Sequence, residues 1–165
     1  GINGRQAKCS WMQSFLGQSP GSMGETSTLL ILLAGIYMVY TKIASWRIIM
    51  ATLLGMIATS SLLNFVGSDS NPMFSVPWYW HLTIGSFAFG LIFMATEPVT
   101  AANTNTGRWI YGLSIGVVVV LIRVVNPAFP EGMMLAILFA NLLAPAIDFA
   151  VTTANTSRRM ERYNS

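Results

Sequence analysis

The sequence predicts an all-α integral membrane protein of five transmembrane helices, and two observations carry that reading. Hydrophobic residues make up 53% of the 165 positions and charged residues only 9%, a balance far from that of a soluble domain. The apolar residues also fall into about five blocks of the size needed to cross a bilayer core of about 30 Å. Each block is bounded by residues that stop a helix or favour the headgroup region.

Residues 1–24 are polar and punctuated by Gly17, Pro20, Gly21 and Gly24, so they read as a flank, with a short surface helix possible over residues 11–16. The first spanning helix is expected over residues 25–40 and has a short strictly apolar part. The second is expected over residues 45–66, ended by Asp69-Ser70-Asn71-Pro72 and Pro77, which cannot continue a helix. The third covers residues 78–96. Residues 97–107 open with a Glu-Pro pair and are polar but rich in small residues, the pattern of a re-entrant or broken segment. The fourth helix covers residues 108–125, broken by Pro127 and Pro130, and the fifth residues 131–153. The organisation is therefore a flank over 1–24, a five-helix membrane domain over 25–153 and a basic tail over 154–165. Trp46, Trp78, Tyr79, Trp80, Trp109 and Tyr111 fall near expected span ends, where amphipathic rings favour the interface.

Five spans put the termini on opposite sides. Lys42, Arg47, Arg108, Arg158, Arg159 and Arg162 flank one side, against Arg5, Lys8 and Arg123 on the other. The positive-inside bias then predicts a periplasmic 1–24 flank and a cytoplasmic C-terminus. The formal charge of +3 reads as this orientation signal, not as a nucleic-acid footprint. Cys9 is the single cysteine, which excludes an internal disulfide, and no Cys/His cluster suits zinc or an iron–sulfur centre. Nucleophile-elbow, phosphate-loop and dinucleotide motifs do not occur. The start at Gly1 instead of a methionine suggests a piece of a longer polypeptide.

Small residues recur at four-residue spacing, Ala51 with Gly55, Ser86 with Gly90 and Gly112 with Gly116. In lipid such pairs let backbones approach, so they predict a tightly packed bundle. Ionisable groups in spans need a protein, water or ligand partner. Asp148 is expected inside the fifth helix, roughly on one face with Asn141 and Pro145, either on an ion pathway or as a satisfied structural carboxylate. Glu97 precedes Pro98, which frees carbonyls before it. Carboxylate plus free carbonyls suits a transient sodium ion; the alternative is an interfacial glutamate reaching water. Phe89 and Phe93, spaced i, i+4 before Glu97, are either ordinary packing or an apolar constriction of the same pathway. Arg123 and Glu131 can meet across the double-proline turn as a structural ion pair, and His81 reads as a hydrogen-bonded structural residue.

Whole segments carry a resemblance: Pro20–Leu29, Ile43–Ile48, Gly67–Phe74, Pro77–Leu82, Phe93–Ala101, and above all LIRVVNPAFPEGMMLAILFANLLAPAID from Leu121 to Asp148. Over nearly its full length the chain resembles the NqrB family, membrane subunits of sodium-translocating NADH:quinone reductases. The resemblance implies two inverted five-helix repeats similar to the urea-transporter fold, this chain being the second. It also implies electron transfer from NADH through flavins and iron–sulfur centres to ubiquinone, coupled to sodium export within a multisubunit complex of the bacterial inner membrane. In the family a threonine of a Ser-Gly-Ala-Thr motif carries FMN covalently, and riboflavin accompanies the complex. That motif does not occur here, so the flavin threonine is expected upstream of residue 1, and the fragment alone is expected to be inactive. The family commonly has Asp-Pro where this chain has Glu97-Pro98. The RnfD proteins of the Rnf electron-transport complex share the final-helix pattern and are the nearest alternative; a stand-alone urea- or ammonium-type channel is another.

Overall fold

The computed structural model describes residues 27–66, 78–83, 86–126 and 132–164. The expectations for the 1–24 flank, Cys9, the 67–77 and 127–130 turns and Glu131 lie outside the described residues. All regular structure among those described is helical. Helix α1 is Thr28–Tyr40, α2 Trp46–Val66, α3 Trp78–Thr83 and α4 Phe87–Phe89, which runs into a π-helical segment, Gly90–Met94. Helix α5 is Asn105–Val125 and α6 Gly132–Asn164.

Three helices, α2, α5 and α6, are long and apolar enough to cross a membrane. Helix α1, with 13 residues, is shorter, about 20 Å at 1.5 Å per residue. Its start is set by Ser27, whose hydroxyl accepts from the Leu30 N–H, satisfying one of the donors a first turn leaves open. Large apolar side chains point outward all along the bundle, among them Leu30, Ile36, Leu54, Leu62, Leu142 and Phe149. Such a surface suits lipid or an apolar partner, not water.

The bundle is organised around the crossing of α2 and α5, its most extensive contact. Glycine makes the crossing possible. A Cβ on Gly112 would lie 2.7 Å from the Ile48 carbonyl oxygen and 2.8 Å from the Ala51 Cβ. One on Gly55 would lie 2.7 Å from the Leu113 carbonyl oxygen. The two small-residue pairs seen in the sequence thus face each other, so the backbones touch where van der Waals packing is the main force between helices in lipid. Around this crossing Ile48, Met56, Leu91, Tyr111, Ile115, Val119 and Met133 form one buried core. Helix α1 attaches through a smaller cluster of Ile31, Ala88 and Ile92.

The third span, expected as one helix over 78–96, is broken. Ser86 adopts a left-handed conformation, φ 56°, which no helix interior accepts. The chain resumes as a single turn of α4 and widens at once into the π segment, where the Ala95 N–H bonds the Gly90 carbonyl at 2.7 Å. Gly90 provides the room, since a Cβ there would meet the Met133 side chain of α6.

Arg123 of α5 bridges the break. Its guanidinium donates to the His81 carbonyl at 2.8 Å, lies 3.4 Å from the His81 Nδ1 and sits 5.7 Å from the Phe87 ring centroid. It therefore joins the last turn of α3 to the first residue of α4, satisfying a carbonyl that the interruption exposes. The contact makes Nδ1 the acceptor and leaves the proton on Nε2. Arg123 is completely buried. The Glu131 expected as its partner lies outside the described residues.

The fifth helix also exceeds its expected end at 153 and continues to Asn164. No proline or glycine follows Pro145, and the Thr152 and Thr156 hydroxyls fold back onto the Asp148 and Thr152 carbonyls, so nothing in this stretch ends the helix. At 33 residues α6 is about 50 Å long, more than a bilayer core requires.

Candidate ion-pathway site

Glu97 and Asp148 lie toward one end of the bundle, where the 95–104 turn, the start of α5 and the middle of α6 meet, and Asn141 lies two turns earlier on α6. Helix α5 begins at a capped end. The Thr104 hydroxyl accepts from the Gly107 N–H at 3.1 Å, a threonine cap three residues ahead of its donor. The expected start of this helix, residue 108, therefore falls one turn late.

Asp148 completes that cap. Its Oδ2 accepts from the Asn103 N–H at 2.7 Å, and its Oδ1 accepts from the Thr104 N–H at 3.1 Å and the Thr104 hydroxyl at 2.6 Å. Arg108 lies close enough for its charge to act on the carboxylate, while its own Nε donates to the Ala102 carbonyl at 3.2 Å. A carboxylate at a helix N-terminus is favoured by the exposed amide groups and by the helix dipole. Asp148 thus pins the 103–104 turn to α6. A carboxylate offers about four lone pairs; three are used, and one on Oδ2 remains. Gly107 must stay small here, because a Cβ would lie 2.6 Å from the Asp148 Oδ1.

Asn141, two turns earlier on α6, accepts from the Tyr111 hydroxyl of α5. Tyr111, expected among the interfacial aromatics, is fully buried in the core. The phenol needs a partner inside the bundle, and the Asn141 amide oxygen supplies it. Pro145 lies within α6 and cannot donate to the Asn141 carbonyl, so that backbone oxygen also loses its usual helical partner.

Glu97 lies on the exposed turn three residues after the π segment and accepts from the Thr100 hydroxyl at 3.2 Å; its charge also reaches Tyr111. The electrostatic neighbourhood thus runs from Glu97 to Tyr111 and, by a hydrogen bond, to Asn141. Phe89 and Phe93 stack with centroids 5.0 Å apart and planes tilted by 40°. Phe89 is half-buried against the α1 cluster, whereas Phe93 is 38% exposed on the outer face. The pair therefore sits at the outer side of the described helices. Sequence reasoning missed Asn103, Thr104 and Tyr111. The available signal was Thr104-x-x-Gly107 ahead of an apolar run, a cap position hidden by reading 97–107 as one segment.

The NQR2, RnfD, RnfE family model matches residues 3–157. The chain belongs to that family. Its similarity to curated members is high along almost all of its length. It is 64% identical over 152 residues to the NqrB subunit of the Na(+)-translocating NADH-quinone reductase of Ectopseudomonas mendocina (strain ymp), covering 92% of this chain and 38% of the relative. The corresponding subunit of Azotobacter vinelandii (strain DJ / ATCC BAA-1303) is 63% identical over 156 residues, 94% of this chain and 39% of the relative. That of Haemophilus influenzae (strain PittEE) is 61% identical over 158 residues, 96% and 38%. The chain thus spans less than two-fifths of these relatives. Family membership and three apolar helices of spanning length make it a membrane protein, and the resemblance drawn from Leu121–Asp148 agrees with the match.

Proposed function

We propose that the chain is the C-terminal part of the NqrB subunit of a sodium-pumping NADH:ubiquinone reductase in a bacterial inner membrane, and that it supplies scaffold and ion path, not redox chemistry. The observation that carries this reading is identity of 61–64% over more than nine-tenths of the chain to proteins of that name. An RnfD-type protein is the second reading, supported by the family description alone.

In this reading the chain forms one five-span repeat of a urea-transporter-like pair, with α1 and the broken third span serving as shortened crossings. The positive ends gathered around Lys42, Arg47 and Arg108 face the cytoplasm with the C-terminus. FMN is carried covalently by the part of NqrB that precedes this repeat, riboflavin belongs elsewhere in the complex, and the other subunits and ubiquinone complete the electron path.

The sodium path uses this chain's own oxygens. Glu97, on the exposed turn, receives the ion from the cytoplasmic side. The free lone pair of Asp148, the Asn141 backbone carbonyl left open by Pro145 and the Asn141 amide offer hard oxygen ligands further along α6. Phe89 and Phe93 form the apolar constriction, closed from the other side by the partner repeat, so that water and ions pass only when the surfaces part. Arg123, bonded to the His81 carbonyl, braces the broken third span.

Sodium titration of quinone reductase activity and sodium-22 flux in proteoliposomes test the path. Asp148→Asn is expected to raise the sodium concentration for half-maximal activity. Phe93→Ala is expected to keep turnover and make the membrane leak sodium. Unchanged sodium dependence in both Asp148→Asn and Glu97→Gln would return the carboxylates to a purely structural role. Flavin fluorescence on this fragment, expressed with its flavin transferase, would contradict the scaffold reading.

A further inference from the structure

Two cavities on the α1–α2 side share a wall. The first, about 300 Å³, opens at the α1–α2 turn and is lined by Lys42, Ser45, Arg47, Thr96 and Arg108. The second, about 550 Å³, is an apolar groove lined by Gly35, Ile36, Leu53, Trp78, Leu82 and Ile92. Val39 and Trp46 line both, so the polar cavity and the groove adjoin across these two side chains.

The charge of the first cavity is one-sided. Lys42, Arg47 and Arg108 contribute three cations, and α2 starts beside them with no acidic residue in its first turn. A helix N-terminus is itself positive, and a basic side chain there adds like charge to like. Arg108 is partly engaged by the Ala102 carbonyl and by the charge of Asp148. Glu97, between two lining residues, bonds to Thr100. Among the described residues no carboxylate pairs with Lys42 or Arg47; the Arg47 guanidinium lies 5.4 Å from the Trp46 ring centroid. Lys42 occupies a left-handed position, φ 60°, where glycine or asparagine is the usual choice. The turn thus accepts backbone strain while holding an ammonium group at the cavity.

The length of the groove bears on its occupant. Its wall runs along α2 from Trp46 to Ile57, about 16 Å at 1.5 Å per residue, which is roughly the hydrocarbon depth of one leaflet in a 30 Å core. Trp46 stands at the junction, edge-on to Trp109 with centroids 6.1 Å apart, the position an interfacial aromatic belt takes.

We propose that these cavities form one site for an anionic phospholipid: the headgroup phosphate sits among Lys42, Arg47 and Arg108, Trp46 lies at the glycerol level, and one acyl chain fills the groove between α1 and α2. The occupant must join an anion to an apolar tail one leaflet long, and a bilayer phospholipid has that shape. A protein helix in the groove would leave the cations without a phosphate. The site does not depend on the sodium path.

The test uses the intact complex, purified in neutral detergent, with its retained lipids quantified by mass spectrometry before and after exposure to vesicles of phosphatidylglycerol and phosphatidylcholine at a 1:3 ratio. Wild-type complex is expected to retain phosphatidylglycerol and to take it up in preference to phosphatidylcholine. Each surface cation contributes about fivefold to anionic-lipid affinity, so Lys42→Ala/Arg47→Ala is expected to weaken retention roughly 25-fold. Ile36→Trp, which fills the groove, should abolish uptake, while Leu142→Trp on α6 should not. If the double variant fails to assemble, Lys42→Gln alone carries the test with an expected loss of about fivefold. Equal retention by wild type and charge variants would overturn the proposal, as would equal uptake of both lipids. So would full displacement by glycerol phosphate together with an inert Ile36→Trp, since the cavity would then bind phosphate alone.

Discussion

Gly116→Ala at the α2–α5 crossing is the sharpest test of what holds the bundle together. The added Cβ would lie 2.7 Å from the Met56 nitrogen and 3.0 Å from the Gly55 carbonyl carbon, and it would also meet the Thr52 carbonyl oxygen. All three are backbone atoms, so no side chain can rotate away. Carbon–oxygen contacts in proteins settle at about 3.3–3.6 Å, so the added Cβ and the Thr52 carbonyl oxygen must separate by about an ångström, and α2 and α5 must part along their main contact. Overpacking of this kind costs about 1–3 kcal/mol, and alanine's helix-propensity advantage of about 1 kcal/mol opposes it.

A net loss of about 0–2 kcal/mol follows from those two terms, toward the upper end because every contact is with backbone. Gly35→Ala is the matched control. There the new Cβ meets only the Ile92 side chain, at 2.5 Å from Cδ1 and 3.0 Å from Cγ1, and that flexible end can move. The same propensity gain then makes the change neutral or slightly stabilising. Thermal melting of the purified complex should place Gly116→Ala several degrees below wild type, at about 2–4 °C per kcal/mol, with Gly35→Ala at or above it. The opposite order would refute the idea that backbone contact at this crossing limits stability.

Arg123→Ala takes the Arg123 donor away from the His81 carbonyl, and a buried neutral acceptor left in this way costs about 1–3 kcal/mol. The amount of assembled complex in membranes should fall sharply, and Arg123→Lys should rescue little, since an ammonium cannot span from His81 to Phe87 as the planar guanidinium does. Gly107→Ala should disturb the Asp148 cap without changing its charge. A rise in the sodium concentration for half-maximal activity resembling that of Asp148→Asn would show that geometry, not charge alone, governs the site. For topology, Ser165→Cys in a Cys9→Ser background should resist an impermeant thiol reagent in intact cells and react after permeabilisation; labelling in intact cells would invert the assigned orientation.

The three long helices, α2, α5 and α6, were legible in the sequence because lipid imposes a simple rule: every backbone amide must be satisfied within its own segment, and about 20 apolar residues mark the crossing. Close packing at Ala51, Gly55, Gly112 and Gly116 was legible for a similar reason, since they announce themselves by size and spacing, but which helices they bring together was not. Nor was the break at Ser86. Residues 84–86 read Ile-Gly-Ser inside an apolar run, and nothing local separates a tolerated glycine from an interruption. What stabilises the interruption is Arg123, 42 positions from His81. The same distance in sequence hid the chemistry of Asp148, whose donors at Asn103 and Thr104 lie 45 and 44 positions away. A lone carboxylate in a span signals that a partner exists but not which one.

On the proposed sodium path, that difference bears on how ion movement could be coupled to anything else. Thr104 bonds Asp148 and caps α5 with one hydroxyl, so a cation that drew the carboxylate away would loosen the start of α5. Arg123, on the same helix, holds the two pieces of the broken third span together, and the π segment after that break leads directly to Glu97. Ligand binding can shift a protein only by as much as it distinguishes two arrangements. Here the two arrangements would differ in whether Asp148 spends its oxygens on the α5 cap or on the ion. Helix α5 therefore links one carboxylate, through its cap, to the segment that carries the other.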